Sequence, residues 1–139
     1  MTSMASCLKF TCSSCGFSIE GWDGGNPYIE YPKGVRKYYH HPRVRPAIWD
    51  VAREAFGIKI FNRKPTEAEM RQFYIEHTGN APDYLCIDCG TISRIDGRKE
   101  KMVCNRCQSV RLHKTCNLAM VKCPKCNGLF SKGEMVAIS

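Results

Sequence analysis

Cys86-Ile-Asp-Cys89, Cys104-Asn-Arg-Cys107, His113-Lys-Thr-Cys116 and Cys123-Pro-Lys-Cys126 follow one another along residues 86–126, and a further pair, Cys12-Ser-Ser-Cys15, stands near the start. Four of these five groups are Cys-x-x-Cys. Two thiolates two residues apart can grip one ion only if the chain turns tightly and aims its amides at the sulfurs. The residue after the second cysteine must then tolerate a left-handed backbone, which Gly and Asn do. FTCSSCGF, YLCIDCGT and VKCPKCNG all meet that requirement, and Gln108 after Cys107 is the exception. One such pair is a weak signal, but four with this punctuation are a strong one.

Ten cysteines in 139 residues suit either a disulfide framework or metal sites. MTSMASCLKF has no basic run followed by an apolar stretch and a small-residue cleavage site. No apolar run reaches membrane-spanning length. We therefore expect a chain that stays inside the cell, with no membrane role and with thiols rather than disulfides, whose cysteines bind zinc. The expected fold class is small zinc-stabilised α+β, with zinc-ribbon or treble-clef-like knuckles, short β-hairpins and two short helices between them.

Outward from the knuckles, three regions are expected. Residues 1–45 form an N-terminal knuckle with short strands: Leu8–Thr11 and Phe17–Trp22 flank Cys12 and Cys15, GWDGGNP is a turn, and YIEYPKGVRKYYHHP gives two extended stretches around Pro32–Gly34. Residues 46–83 are a helical bridge. Pro46 suits a first helical position, Ile48, Val51, Ala52 and Ala55 form one stripe, and Gly57 can end that helix. Thr66 and Glu69 have capping-box spacing, Met70, Phe73, Tyr74 and His77 line one face, and Gly79 suits the residue after the end. Residues 84–139 are a double-zinc module, with Ile95–Arg98 as a hairpin turn.

Closed structural zinc takes four ligands. Residues 86–126 supply eight. Their order resembles the C4HC3 series of PHD fingers and, more loosely, RING-type domains. The resemblance implies a cross-brace, with Cys86, Cys89, His113 and Cys116 on one ion and Cys104, Cys107, Cys123 and Cys126 on the other. The six residues between Cys116 and Cys123 are fewer than PHD fingers usually have, and the tryptophan often found before the last pair is absent, so recognition of modified histone tails is not carried over. A sequential pairing has equal standing. Cys86, Cys89, Cys104 and Cys107 would then make a zinc-ribbon-like site, and His113, Cys116, Cys123 and Cys126 a second one. In the first region Cys12 and Cys15 need partners, for which His40 and His41 are nearest, with Cys7 in reserve because neighbours on a strand point apart. Three ions are thus expected. His77, late on an amphipathic helix, is left out as a helix-terminal histidine.

Nothing in the chain has the pattern of a catalytic centre. Catalytic zinc keeps an open position, and neither His-Glu-x-x-His nor the deaminase signature occurs. An HNH-type nuclease, drawing on His40, His41, His77 and Asn80, is the best enzymatic alternative, but its residue order is wrong. The formal charge is +8, which three ions and nine thiolates would bring to about +5. That suits nucleic acid or an acidic protein partner. Lys33, Arg36, Lys37, Tyr38, Arg43 and Arg45 lie in a stretch rich in tyrosine, the mixture of phosphate-binding and base-stacking groups used on single strands. Arg94, Arg98, Lys99 and Lys101 decorate the expected hairpin. The tyrosines would equally serve as the packing of a small sheet. The expected function is therefore a non-enzymatic, nucleic-acid-binding zinc protein, with a zinc-dependent protein adapter as the alternative.

Overall fold

A computed structural model describes residues 5–39, 48–56 and 66–138. The chain divides into two compact units, one of residues 1–25 with 81–139 and the other Asn26–Asn80. The ends of the chain therefore fold together and the middle folds by itself. The three successive regions read from the sequence do not anticipate this, because nothing in a cysteine pair says which distant pair it will join.

In the first unit, β1 (Ser6–Thr11) and β2 (Ser18–Trp22) form an antiparallel hairpin whose tip carries Cys12 and Cys15. The burial of Phe10 and Ile19, cross-strand partners on one face, is what a two-residue repeat dictates. Gly21 stands in β2 where backbone crowds in: a Cβ there would sit 2.4 Å from the Thr115 carbonyl carbon. The last strand, Glu134–Ile138, adds to the other side of β1 with a bulge opposite Cys7 and Leu8. The second sheet of this unit has the strand Asp83–Cys86 at its centre, flanked by Ile92–Arg94 and Leu112–Lys114. Phe10, Cys12, Ile19, Leu85, Leu118, Cys123 and Phe130 share one buried cluster. The knuckle cysteines Cys12 and Cys123 are thus part of the core.

In the second unit, β3 (Pro27–Glu30) pairs with β4 (Arg36–Tyr38) across a turn at Pro32–Gly34, and with β5 (Thr78–Asn80) on its other side. Numbering the strands in chain order makes β6 Asp83–Cys86, β7 Ile92–Arg94, β8 Leu112–Lys114 and β9 Glu134–Ile138. Helix α1 (Ile48–Phe56) and helix α2 (Glu67–His77) complete the unit. Both halves of the capping box are formed at α2: the Glu69 amide donates to Thr66 Oγ1 (3.1 Å) and the Thr66 amide to Glu69 Oε1 (3.0 Å). The helix ends differently from the sequence reading. Thr78 is the cap in extended conformation, and Gly79 lies in β5 opposite Tyr28, so the chain passes straight from helix to strand. Ile29, Val51, Ala52 and Phe73 are the buried core here. Phe56 and Phe73 meet edge to face at 5.5 Å, and the His77 ring packs against both.

The segment read as a hairpin at Ile95–Arg98 is instead a turn closed on a buried carboxylate. Asp96 accepts from the Arg98 amide through Oδ1, while its carbonyl accepts from Lys99 and Glu100. β7 pairs with β6 and with no strand beyond that turn among the described residues. Among the described residues no helix is long and apolar enough to cross a membrane.

Candidate metal centres

Each of the four Cys-x-x-Cys segments folds into the same knuckle. The amide of the first cysteine donates to the carbonyl five residues on: Cys12 to Phe17, Cys86 to Thr91, Cys104 to Ser109 and Cys123 to Gly128, at 2.7–3.0 Å. The residue after the second cysteine donates back to the first cysteine's carbonyl, from Gly16, Gly90, Gln108 and Asn127. Those four residues all have positive φ, between 65° and 78°. Gln108 therefore takes the same left-handed backbone as its glycine and asparagine counterparts and bears the steric cost of its Cβ. The turn aims amides at sulfur: Ser14 at Cys12, Arg106 at Cys104, Lys125 at Cys123 and Gly128 at Cys126, each 3.4 Å from the Sγ.

The knuckles meet in two sets of four. Cys12, Cys15, Cys123 and Cys126 form one group, and Cys86, Cys89, Cys104 and Cys107 the other, with all sulfurs of a group within 4.8 Å of each other. Cys12 lies 3.4 Å from Cys126 and Cys15 3.8 Å from Cys123; Cys86–Cys107 and Cys89–Cys104 are both 3.5 Å. A tetrahedron with metal–sulfur bonds of about 2.3 Å has edges of about 3.8 Å. Each group could hold one metal ion, and all ten cysteines are free thiols.

The first group is one that the sequence reading did not draw. Cys12 and Cys15 are brought to Cys123 and Cys126, where His40 and His41 were expected. The isolated bridge between Cys12 and Phe130 places the two knuckle tips face to face, and the Ser13 amide donates to the Leu129 carbonyl (3.1 Å). Close approach is possible because residue 128 is glycine: a Cβ there would lie 2.5 Å from Ser14 Oγ and 3.2 Å from Cys12 Sγ. His40 and His41 lie outside the described residues. The second group is the first half of the sequential alternative, joining neighbours in the chain. Asp88, inside its first knuckle, clamps the loop after its second by accepting from Arg111 Nη1 (2.7 Å) and Ser109 Oγ.

His113 and Cys116 belong to neither group, which corrects both the cross-brace and the expected second sequential site. Leu112–Lys114 is an extended strand, β8, in register with β6, and it sets His113 beside Leu85. His113 lies in that strand and Cys116 in the turn that follows it, so the two do not share one knuckle turn. The described residues thus hold two candidate metal groups where three were expected. Burial raises the thiols of Cys116 and Cys7 above their ordinary value, which suits neutral side chains.

Within the groups the sulfurs differ sharply. Cys12 is brought down to about 6, mainly by the Cys15 amide, and Cys104 to about 6, mainly by the Cys107 amide. Thr91 lowers Cys89 through its hydroxyl and amide. The Ser109 amide alone would lower Cys107, but burial and the three adjacent sulfurs outweigh it and push Cys107 up to about 12. For Cys126 the Gly128 amide is likewise outweighed, by Cys12 first and then by burial and the other sulfurs, and the thiol stands at about 12. Without a cation, four thiolates cannot share so small a volume.

The residues read as nucleic-acid contacts have separate fates. Tyr28 is fully buried, with the Arg36 guanidinium over its face at 4.3 Å and Tyr38 at its edge. Arg36 also lies 3.9 Å from Glu30. Lys37 sits over the Tyr31 ring at 4.3 Å, and both Lys33 and Lys37 are exposed. Arg43 and Arg45 lie outside the described residues. In the first unit Arg94 is tied to Asp83 across the β6–β7 pair. Compared with protein-family models, curated proteins and solved structures, the chain matches none of them.

Proposed function

We propose that this is a non-enzymatic zinc protein in which two closed four-cysteine sites, each of zinc-ribbon type, hold the first unit together while the second unit contacts nucleic acid. The zinc assignment is carried by the two groups of four sulfurs at tetrahedral spacing with amides directed at them. All-thiolate sets close around the ion and leave no position for a water or substrate. The reading against an HNH-type nuclease rests on those closed sets and on His77, whose ring is taken up by packing on Phe56 and Phe73.

The nucleic-acid reading is supported by where the charge lies. Residues 26–80 contain ten Lys and Arg against six Asp and Glu, and residues 1–25 with 81–139 contain eleven against seven. Each zinc with four thiolates carries a net −2, so two loaded sites leave the first unit formally neutral. The second unit then carries the excess of about +4. Tyr28 and Tyr31 fit the packing role that the sequence left open beside stacking. Tyr28 is core, and the faces of Tyr28 and Tyr31 are covered by the protein's own cations, so phosphate contact rather than base stacking is the mode proposed.

Elemental analysis of the purified chain tests the metal: two zinc per chain is the expected result, and iron or a single ion overturns the assignment. A gel-shift titration on single-stranded nucleic acid tests the rest. Lys33→Ala with Lys37→Ala removes two exposed cations while sparing Arg36, which braces Tyr28. Binding should weaken, and the slope of log K against log salt should flatten by about 1.4. Unchanged, salt-tolerant binding would favour the alternative, a zinc-dependent protein adapter.

A further inference from the structure

The three sheets have six edge strands among the described residues, and five of them guard their edges. β2 carries Glu20 in mid-strand, β4 carries Arg36 and Lys37, β7 ends on Arg94, β8 ends on Lys114, and β5 is the short polar run Thr-Gly-Asn. Mid-edge charge, short length and polar composition are the ordinary means by which a sheet avoids recruiting further strands. β9 has none of these three, and the one device of this kind that it carries is the bulge at Val136. Its charge is confined to Glu134 at one end, followed by Met135-Val136-Ala137-Ile138, and every residue of the strand is exposed. Met135 is 58% exposed and Ile138 54%, although β1 is hydrogen-bonded along one side. Trp22, 43% exposed, lies in the same cross-strand row as Cys7 and Ala137, so the apolar surface extends onto the sheet.

We propose that β9 is a self-association edge, pairing antiparallel with β9 of a second copy to join two three-stranded sheets into one of six. The occupant follows from the strand's own pattern. Centred on Val136, antiparallel pairing sets Val136 against its symmetry mate, Met135 against Ala137 and Glu134 against Ile138. No two charges face each other, and the apolar residues of both copies bury one another. The same pairing is isologous and closes at two copies. Pairing of β9 with β2 of another copy would bring its apolar run against Glu20 and leave a free edge at each end, which propagates. The bulge opposite Cys7 and Leu8 leaves Val136 without a partner on β1, which makes it a substitution site with no cross-strand contact to lose.

Sedimentation equilibrium on the full zinc-loaded chain, from low to high micromolar concentration, tests the proposal. The apparent mass should rise from 15.8 kDa towards twice that value and no further. Val136→Lys, an exposed position in the fold, should stay at the monomer mass. Ile75→Lys, at a more exposed apolar site on α2, should behave as the parent. In parallel, backbone amides of residues 134–138 should exchange more slowly at high than at low concentration. A parent that remains monomeric throughout, a Val136→Lys variant that still dimerises, masses growing past two copies, or loss of association in Ile75→Lys would each overturn it.

Discussion

Among the described residues of the unit formed by the chain ends, the twelve buried apolar ones include five cysteines: Cys7, Cys12, Cys86, Cys104 and Cys123. The unit Asn26–Asn80 contains no cysteine, and among its described residues the buried apolar set is Tyr28, Ile29, Val51, Ala52 and Phe73. Both units are small, and small domains struggle to bury enough carbon. The first answers with short strands that end in knuckles and with sulfurs that are at once core and candidate metal ligands. The second answers with two helices, a capping box and rings packed edge to face. With both cysteine groups loaded as proposed, the first unit's stability would depend on metal availability and on the protonation of its thiols, and the second unit has no thiol through which to do so. The exposed cations proposed to meet nucleic acid, Lys33 and Lys37, sit on the unit that contains no cysteine.

Metal removal separates the two most strongly. Each ion should contribute on the order of 10 kcal/mol of folding free energy, so a strong chelator should unfold the first unit. Amide protection should vanish in β1, β6, β7 and β8 and persist in α2, and equal loss in both units would break the comparison. The reverse experiment is Phe73→Ala, a buried ring in the helical unit. It should cost about 3–5 kcal/mol, reducing helix content on melting while two zinc ions stay bound.

Acid comes next in size. Cys107 and Cys126, at about 12, are protonated at neutral pH before metal binds. Zinc uptake must expel those protons, at least one per ion, and each displaced proton makes affinity fall about tenfold per pH unit. Cys12 and Cys104 work in the same direction lower down. Their values lie below the ordinary 9.0, so their contribution is complete above that value and is lost as pH falls through about 6. Zinc titration in weakly buffered solution should show the released protons. A smaller effect is local to one site. Gly128→Ala presses a methyl group onto Ser14 and should cost about 1–3 kcal/mol. One of the two ions should then pass to a competing chelator about tenfold or more readily, while the Cys86–Cys107 site keeps its own. The smallest effect is a gain. Gln108→Gly relieves a left-handed backbone at the one knuckle without Gly or Asn and should add up to about 1 kcal/mol, read as a higher melting temperature of the zinc-loaded chain.

Much of this was legible in the chain because it is local. A knuckle is written within six residues, and its two cysteines, the turn between them and the left-handed residue after them are all set by near neighbours. The capping box of α2 and the hairpin flanking Cys12 and Cys15 are local in the same sense. The burial of Tyr28 under Arg36 was less so, since a tyrosine between basic residues reads equally as core or as contact surface until the strand register is known.

Which knuckle meets which was decided elsewhere. Four Cys-x-x-Cys segments with the same backbone offer chemically equivalent half-sites, so ligation chemistry cannot rank the pairings. Chain entropy ranks them only weakly. The group at Cys15 and Cys123 closes across 108 positions and the group at Cys89 and Cys104 across 15, a difference worth about 2 kcal/mol against the on the order of 10 kcal/mol that each ion supplies. The choice falls to the strands. β9 adds to β1, Cys12 bridges to Phe130, and β8 joins β6, which carries the chain ends together and leaves His113 in a sheet. The residues themselves dictate that there are four knuckles and what they can bind. Their sorting into two candidate metal groups is a property of the packed sheets, because only tertiary structure distinguishes between identical half-sites.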